Sequence, residues 1–345
     1  MRIMLVSDAW DPQINGVVVT LKATIACLHK LGHEVSVLSP EGFRTVPMPT
    51  YPEIRLALLP GREVARRIEA WAPDALHIAT EGPLGVAARN YCARRGLGFT
   101  TAYHTCFPEY VHARFGLPLG VTYAFMRWLH GPATRVLVAT ESLRDTLAAH
   151  GFGRLADWSR GVDTGLFRPA PDRSTDRGAA REPIFLYAGR IAVEKNLQAF
   201  LSLKLPGVKR VVGEGPQRRE LMARFPEVVF TGALPLAELV RSYQQADALV
   251  FPSRTDTFGL VMLEAMACGT PVAAFPVRGP IDVIRDPAAG CLDEDLRRAA
   301  LAALELDRAA VRRHAERYSW EHCTRQFVAQ QVPLHAGSAL LDQPG

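Results

Sequence analysis

Two carboxylates and two cations with suggestive spacing stand in the second half of this 345-residue chain. Asp256 and Glu264 lie eight positions apart in FPSRTDTFGLVMLEAMACGTPV, and Arg190 and Lys195 lie five apart in GRIAVEKN. Such residues suit the handling of a diphosphate joined to a sugar. An arginine can fork two phosphate oxygens, and a lysine acts as a point charge. The apolar run ending at Phe251 predicts a buried strand. The run 260–267 predicts a helix stopped by Gly269 and Pro271. The loop between them leads through Thr257, Phe258 and Gly259 to Leu260. The first helical N–H groups there have no intrahelical partner, and the dipole adds about half a positive charge. That is a ready seat for phosphate. Asp256 just before the helix and Glu264 two turns along can reach opposite ends of a nucleotide sugar, the sugar hydroxyls and the ribose hydroxyls. Asp256 would serve equally well as an N-cap. Glu264, set among Val261, Met262, Leu263, Ala265 and Met266, is out of place as a solvated carboxylate.

Other candidates are more ambiguous on residue type alone. Arg190 and Lys195 follow a predicted strand at 184–188, and Lys195 can also pair with Glu194 or Asp256. Gly213 and Glu214 follow a strand at 208–212, where a glycine lets a ligand approach the backbone or simply makes a turn. In DPQINGVVVT, Asn15 and Gly16 can present amides at a helix start, and Asp11 lies just ahead. His104 follows a strand at 99–103, where a lone histidine commonly has a structural role. Glu81 either contacts an acceptor or caps the helix that follows. Asp11, Glu81 and Glu109 are the candidate acceptor contacts.

Strand and helix patterns alternate throughout. Strands are predicted at 2–7, 35–38, 76–79, 99–103, 136–139, 184–188, 208–212, 228–230, 248–251 and 271–274, with a helix at 17–31. This pattern means parallel strands with helical crossovers, an α/β class. The stretch 168–183, RPAPDRSTDRGAAREP, has no apolar period and predicts a linker. The expected organisation is a first domain at 1–168, a linker at 169–182, a second domain at 183–318 and a returning helix at 319–334.

Apolar content is 48% and charged content 22%, an ordinary globular balance. No apolar run approaches the roughly 20 residues that span a bilayer. Six cysteines at 27, 92, 106, 268, 291 and 323 form no C-x-x-C pair, which points to a reducing cytoplasm. Residues 1–170 hold 18 Lys/Arg against 14 Asp/Glu, most of the net charge of +5. That bias suits solvated helix faces or an anionic membrane surface; nucleic acid is the weaker reading, because lysine is scarce and no aromatic-basic repeat occurs.

The segment 251–272 resembles the acidic signature of the retaining glycosyltransferases of family 4, Glu-x7-Glu with an aromatic-Gly pair after the first acid. Here the acids are Asp256 and Glu264 and the pair is Phe258-Gly259. Asp256 replaces the usual Glu and is one methylene shorter. GRIAVEKN resembles the family's basic pair, and RGVDTGLF (160–167) its end-of-domain signature. The resemblance implies the GT-B fold, two Rossmann-like domains facing across a cleft. It also implies that Arg190 and Lys195 neutralise a departing diphosphate, that His104 and Asp256 contact the sugar, and that Gly213 and Glu214 border the base. No cofactor or metal is implied; the nucleotide sugar is a co-substrate. Further passages, LPGVKRVVGEGP and FPVRGPIDVI, resemble bacterial GDP-mannose-dependent mannosyltransferases and diacylglycerol glycosyltransferases. A lipid acceptor suits the basic first half and the aromatics Trp10, Phe107, Tyr110 and Phe115. A polysaccharide or small-molecule acceptor is the alternative, as is an epimerase or a non-catalytic sensor on the same scaffold. A dehydrogenase would need a G-x-G-x-x-G after the first strand, which the chain lacks.

Overall fold

The computed structural model describes residues 1–13, 15–48, 51–171 and 181–334, with backbone only for 51–53. The chain forms two compact units. One comprises Met1–Pro108, Leu117–Ser159 and the segment from Glu321 onward; the other comprises Glu109–Gly116 and Arg160–Trp320. The main stretch of the first unit ends at Ser159, and that of the second begins at Arg160. A short segment, Glu109–Gly116, belongs with the second unit despite its place in the first half. Most of the stretch read as a linker lies outside the described residues.

The first unit is built on a six-stranded parallel sheet. Its strands are β1 (Arg2–Val6), β2 (Glu34–Leu38), β5 (Ala75–Ile78), β6 (Thr100–Ala102), β7 (Arg135–Val138) and β8 (Leu155–Asp157), in the order β2-β1-β5-β6-β7-β8. An antiparallel hairpin of β3 (Thr45–Met48) and β4 (Tyr51–Ala57) stands apart from it. The second unit repeats the plan with β9 (Ile184–Ala188), β10 (Val208–Val212), β11 (Val229–Gly232), β12 (Ala248–Phe251), β13 (Val272–Ala274) and β14 (Gly290–Leu292). Their order is β11-β10-β9-β12-β13-β14.

Burial explains why these segments are strands. Ile3, Met4, Leu5 and Val6 of β1 are buried, as is every residue of β12. A parallel sheet covered by helices on both faces needs such uninterrupted apolar runs. The edge strand β11, by contrast, alternates exposed and covered positions. Phe185, Phe200, Val211, Val250 and Ala273 form the centre of the second core. Met4, Val6, Leu76, Ile78 and Phe99 belong to the core of the first.

The last helix, Trp320–Gln330, is seated on the first sheet. Phe327 is fully buried, 4.9 Å from the His77 ring and 4.8 Å from the Trp158 ring. Burying such a side chain contributes roughly 2–3 kcal/mol. Thr100 donates to Gln331 at 3.2 Å, and the Leu334 amide donates to the Asp74 carbonyl at 2.8 Å.

In each sheet the chain first builds outward on one side and then crosses back. The strand order therefore reverses between β1 and β5 in the first sheet, and between β9 and β12 in the second. In open α/β sheets, ligand crevices open beyond the carboxyl ends of the strands at such points.

Candidate active site

The motifs GRIAVEKN and FPSRTDTFG leave the carboxyl ends of β9 and β12, which pair directly through Ala248 with Phe185 and Leu249 with Leu186. That adjacency brings together residues some 60 positions apart. Val193–Lys195 forms one 3-10 turn, ended by Asn196 in a left-handed conformation at φ 51°. The Asn196 amide donates to the Pro252 carbonyl at 3.1 Å, and Ser253 and Thr255 both donate to the Glu194 carbonyl. With the two loops so tied, the Lys195 ammonium pairs with Asp256 Oδ1. The Tyr110 hydroxyl lies 3.4 Å from each of them. Burial alone would pull Lys195 down, but the Asp256 carboxylate and neighbouring groups hold it above its ordinary value. It is a firmly charged cation. Arg190 is partly exposed, and its carbonyl accepts from the buried Tyr187 hydroxyl at 2.6 Å, which fixes the main chain there.

The helix read at 260–267 is present as Leu260–Ala267. Gly259 is its N-cap at φ 90°, and no side chain caps it. Asp256 is thus not the N-cap; it is held three residues earlier by Lys195. That conformation favours glycine, and a side chain at position 259 would also crowd the end of Met262 and the Phe251 ring. Phe258 is buried, with its ring edge-on to Tyr318 at 6.3 Å, while Thr257 is partly exposed. Two turns on, Glu264 accepts from the Tyr243 hydroxyl at 2.7 Å. Burial raises the Glu264 carboxyl above the usual range, and the Tyr243 bond only partly offsets this. Sequence reasoning missed Tyr243; an aromatic 21 positions earlier carries no local signal.

This arrangement places a lysine, an acid, an uncapped helix start and a second acid along one wall of the second sheet. Residues 14–166 match the family model described as Glycosyltransferase Family 4, and residues 182–306, which hold this arrangement, match Glycosyl transferases group 1. The GDP-mannose-dependent alpha-mannosyltransferase of Mycobacterium tuberculosis (strain CDC 1551 / Oshkosh) is 30% identical over 316 residues, covering 85% of this chain and 83% of that protein. The chain belongs to glycosyltransferase family 4. This transferase is also 27% identical over 349 residues to the alpha-monoglucosyldiacylglycerol synthase of Streptococcus pneumoniae (strain ATCC BAA-255 / R6), covering 88% and 78% of the two chains. The sucrose-phosphate synthase from Thermosynechococcus elongatus shares the fold, with a TM-score of 0.75 at 21% identity, covering 95% of this chain and 97% of that one. The enzyme is thus a GT-B glycosyltransferase that uses a nucleotide sugar.

Several other candidate residues already have partners within the protein. Asn15 caps its own helix: its side-chain oxygen accepts from the amides of Val17 and Val18, both at 3.0 Å. The amides of Val17 and Val18 are therefore already used. The alternative of Glu81 as a helix cap is overturned. Asp8 caps the helix Pro83–Arg95 instead, accepting from Leu84 at 2.9 Å and Gly85 at 3.3 Å, and from Thr80 at 3.0 Å. Burial raises the Asp8 carboxyl despite these bonds. Glu81 lies 3.7 Å from His130. Asp11 pairs with Lys22 at 2.6 Å on an exposed surface. His104 is buried edge-on to Trp158 at 5.3 Å.

In the second unit, Gly213 is required because a side chain there would overlap the Gly189 carbonyl at 1.9 Å; two loops meet closely. Glu214 reaches Arg218 at 3.5 Å, and Glu109 accepts from Arg278 at 3.2 Å. Asp293-Glu294-Asp295 is an Asp-x-Asp triplet, so absence of that motif is no ground for a metal-free reaction. Asp293 pairs with Arg298, and Asp295 caps the helix Leu296–Ala303.

Proposed function

We propose that this transferase moves a hexose from GDP-mannose, or from UDP-glucose or UDP-glucuronate, to a hydroxyl of a membrane glycerolipid such as diacylglycerol, with retention and without a metal. The observation that carries the reading is the Lys195–Asp256 pair beside the uncapped start of Leu260–Ala267. A donor diphosphate would replace Asp256 as the counter-ion of Lys195. Arg190, Lys195 and the amides around Phe258–Leu260 would then stabilise the charge that grows as the C1–O bond to phosphate breaks, at roughly 3–4 kcal/mol per donor. Asp256, once released, would accept from the sugar hydroxyls, with His104 as a second contact. Glu264 would take the ribose hydroxyls. The acceptor oxygen would bond C1 on the face that the phosphate leaves, and its proton would pass to the departing phosphate oxygen.

Two relatives support the choice of partners. One is named for GDP-mannose and another for a diacylglycerol product. The lipid reading has a further support in the helix Leu119–His130. It exposes Val121, Phe125 and Trp128, spaced four and three apart on one face, and Phe125 and Trp128 are stacked at 5.8 Å. Arg89 lies over the Trp128 ring at 4.2 Å. Such a face, apolar with a cation beside it, suits a headgroup boundary. These are not the aromatics first singled out. Tyr110 lies against Lys195, Phe107 packs partly buried against Phe125, and Trp10 is half-buried near Lys22. Among the four, Phe115 is 53% exposed. Among the described residues no helix is long and apolar enough to cross a membrane.

A thermal-shift panel of UDP- and GDP-sugars tests the donor. A rise with one sugar nucleotide, or with a matched pair sharing a base, is expected; no shift with any would overturn the reading. Flotation with anionic liposomes tests the acceptor surface, and failure to associate would remove the lipid proposal.

A further inference from the structure

The nine-residue helix Phe107–Phe115 sends three polar side chains to the loops around Asp256. Tyr110 and Arg114 are four apart and share a face, and Glu109 adjoins them. Glu109 bonds Arg278 at 3.2 Å. Arg114 pairs with the buried carboxylate of Glu194, the residue just before Lys195. These two ties carry Tyr110 to the site. Its hydroxyl accepts from Lys195 and donates to Asp256 Oδ1, each at 3.4 Å. Asp256 is nine-tenths buried, and the bonds it accepts from Lys195 and from Tyr110 both fall on Oδ1. Its other oxygen, Oδ2, is buried and has no hydrogen-bond partner among the described residues. A buried carboxylate oxygen is stable only when a donor reaches it.

We propose that Tyr110 is a positioning residue for recognition of the donor's hexose. This rests on the reading of Asp256 as the acid that holds the sugar. Before a donor binds, Lys195 anchors Asp256. Once a diphosphate draws Lys195 away, that anchor is lost at the moment the carboxylate must hold a sugar hydroxyl. The Tyr110 phenol carries no charge and is not drawn to the diphosphate. It keeps Oδ1 fixed and leaves Oδ2 for the hydroxyl of the hexose. Tyr110 thus acts on the sugar half of the donor and not on the nucleotide half.

Tyr110→Phe separates these halves, since it removes the hydroxyl and keeps the ring. The KM for the productive nucleotide sugar should rise about three- to tenfold, as for loss of one long hydrogen bond to a charged group. The Kd for the free nucleoside diphosphate should not change. In an Asp256→Asn background, adding Tyr110→Phe should have no further effect, because the two act as one unit. A thermal melt close to that of the unmodified enzyme shows that the variant is folded. Equal losses for nucleotide sugar and nucleoside diphosphate would overturn the proposal. So would no change in either, or losses that multiply in the double variant. If the unmodified enzyme binds no nucleotide sugar, the donor-site reading itself fails, and this inference with it.

Discussion

The two sheets reverse strand order at equivalent places, yet the helices that begin there are capped differently. Between β1 and β5, the helices that begin beyond the strand ends are capped by the protein itself. Asn15 closes Gly16–Lys30, and Asp8 closes Pro83–Arg95. Between β9 and β12, the helix Leu260–Ala267 begins at a glycine with no side-chain cap, and a charged lysine stands beside it. Polar groups at a helix start must be satisfied by something. In the first unit a carboxylate or amide of the chain does it. In the second, the amides and Lys195 remain suited to an anionic group from outside. Similar topology therefore does not mean similar chemistry; the side chain before the helix decides.

The sharpest way to break this comparison is Lys195→Ala. It should lower kcat by about 10²–10³-fold, well beyond any loss of donor affinity, as expected for a group that stabilises a developing charge. Equal losses in kcat and affinity, measured by steady-state kinetics and calorimetry, would deny it a transition-state role. Asp8→Ala should do the reverse. It should cost about 2–3 kcal/mol of stability, through a lost cap and unpaired buried amides, and lower the melting temperature. Binding of nucleoside diphosphate should not change. A loss of binding without a loss of stability would show that the first switch point also serves the donor.

A smaller effect should appear with pH. The Glu264 carboxyl is raised by burial, so between the ordinary carboxyl value and the raised one the folded enzyme holds more protons than the unfolded chain. Stability should therefore fall as pH rises through that interval, and the cost of the buried charge is fully felt above it. Glu264→Gln should flatten this slope, as read from melting temperature between about pH 4 and 7. A slope unchanged in the variant would show that Glu264 is not the titrating group. Smallest of all, Asn15→Ala should cost about 1 kcal/mol, the usual worth of an N-cap, and leave donor binding untouched.

Much of this contrast was legible in the residues, but unevenly. The central strands were readable because burial on both faces demands long apolar runs, as in 184–188 and 248–251. The short strands β8 and β14, three residues each, were not, since Leu-Ala-Asp and Gly-Cys-Leu have no pattern apart from their neighbours in the sheet. The acids at 256 and 264 were visible from a local mismatch, carboxylates in or beside an apolar helix. The capping role of Asp8 was hidden because its partners lie 76 and 77 positions away. Tyr110 was hidden for the same reason; it is 146 positions from Asp256 and reads locally as one more aromatic. Asn15 was the opposite case. Asn at a helix start is a strong N-cap signal, and its side chain took the amides that a ligand might have used. Residues that act at short range announce themselves in sequence, and residues that act across the fold do not.

The central claim is that the donor's diphosphate is held at the β9–β12 switch point. A crystal structure of the enzyme with a bound nucleoside diphosphate tests it most directly. The account requires the phosphates within hydrogen-bond distance of Lys195 Nζ and the amides at Gly259 and Leu260, with the Lys195–Asp256 pair opened. Phosphates seated instead on the amides after Asn15, with Lys195 still paired to Asp256, would contradict it.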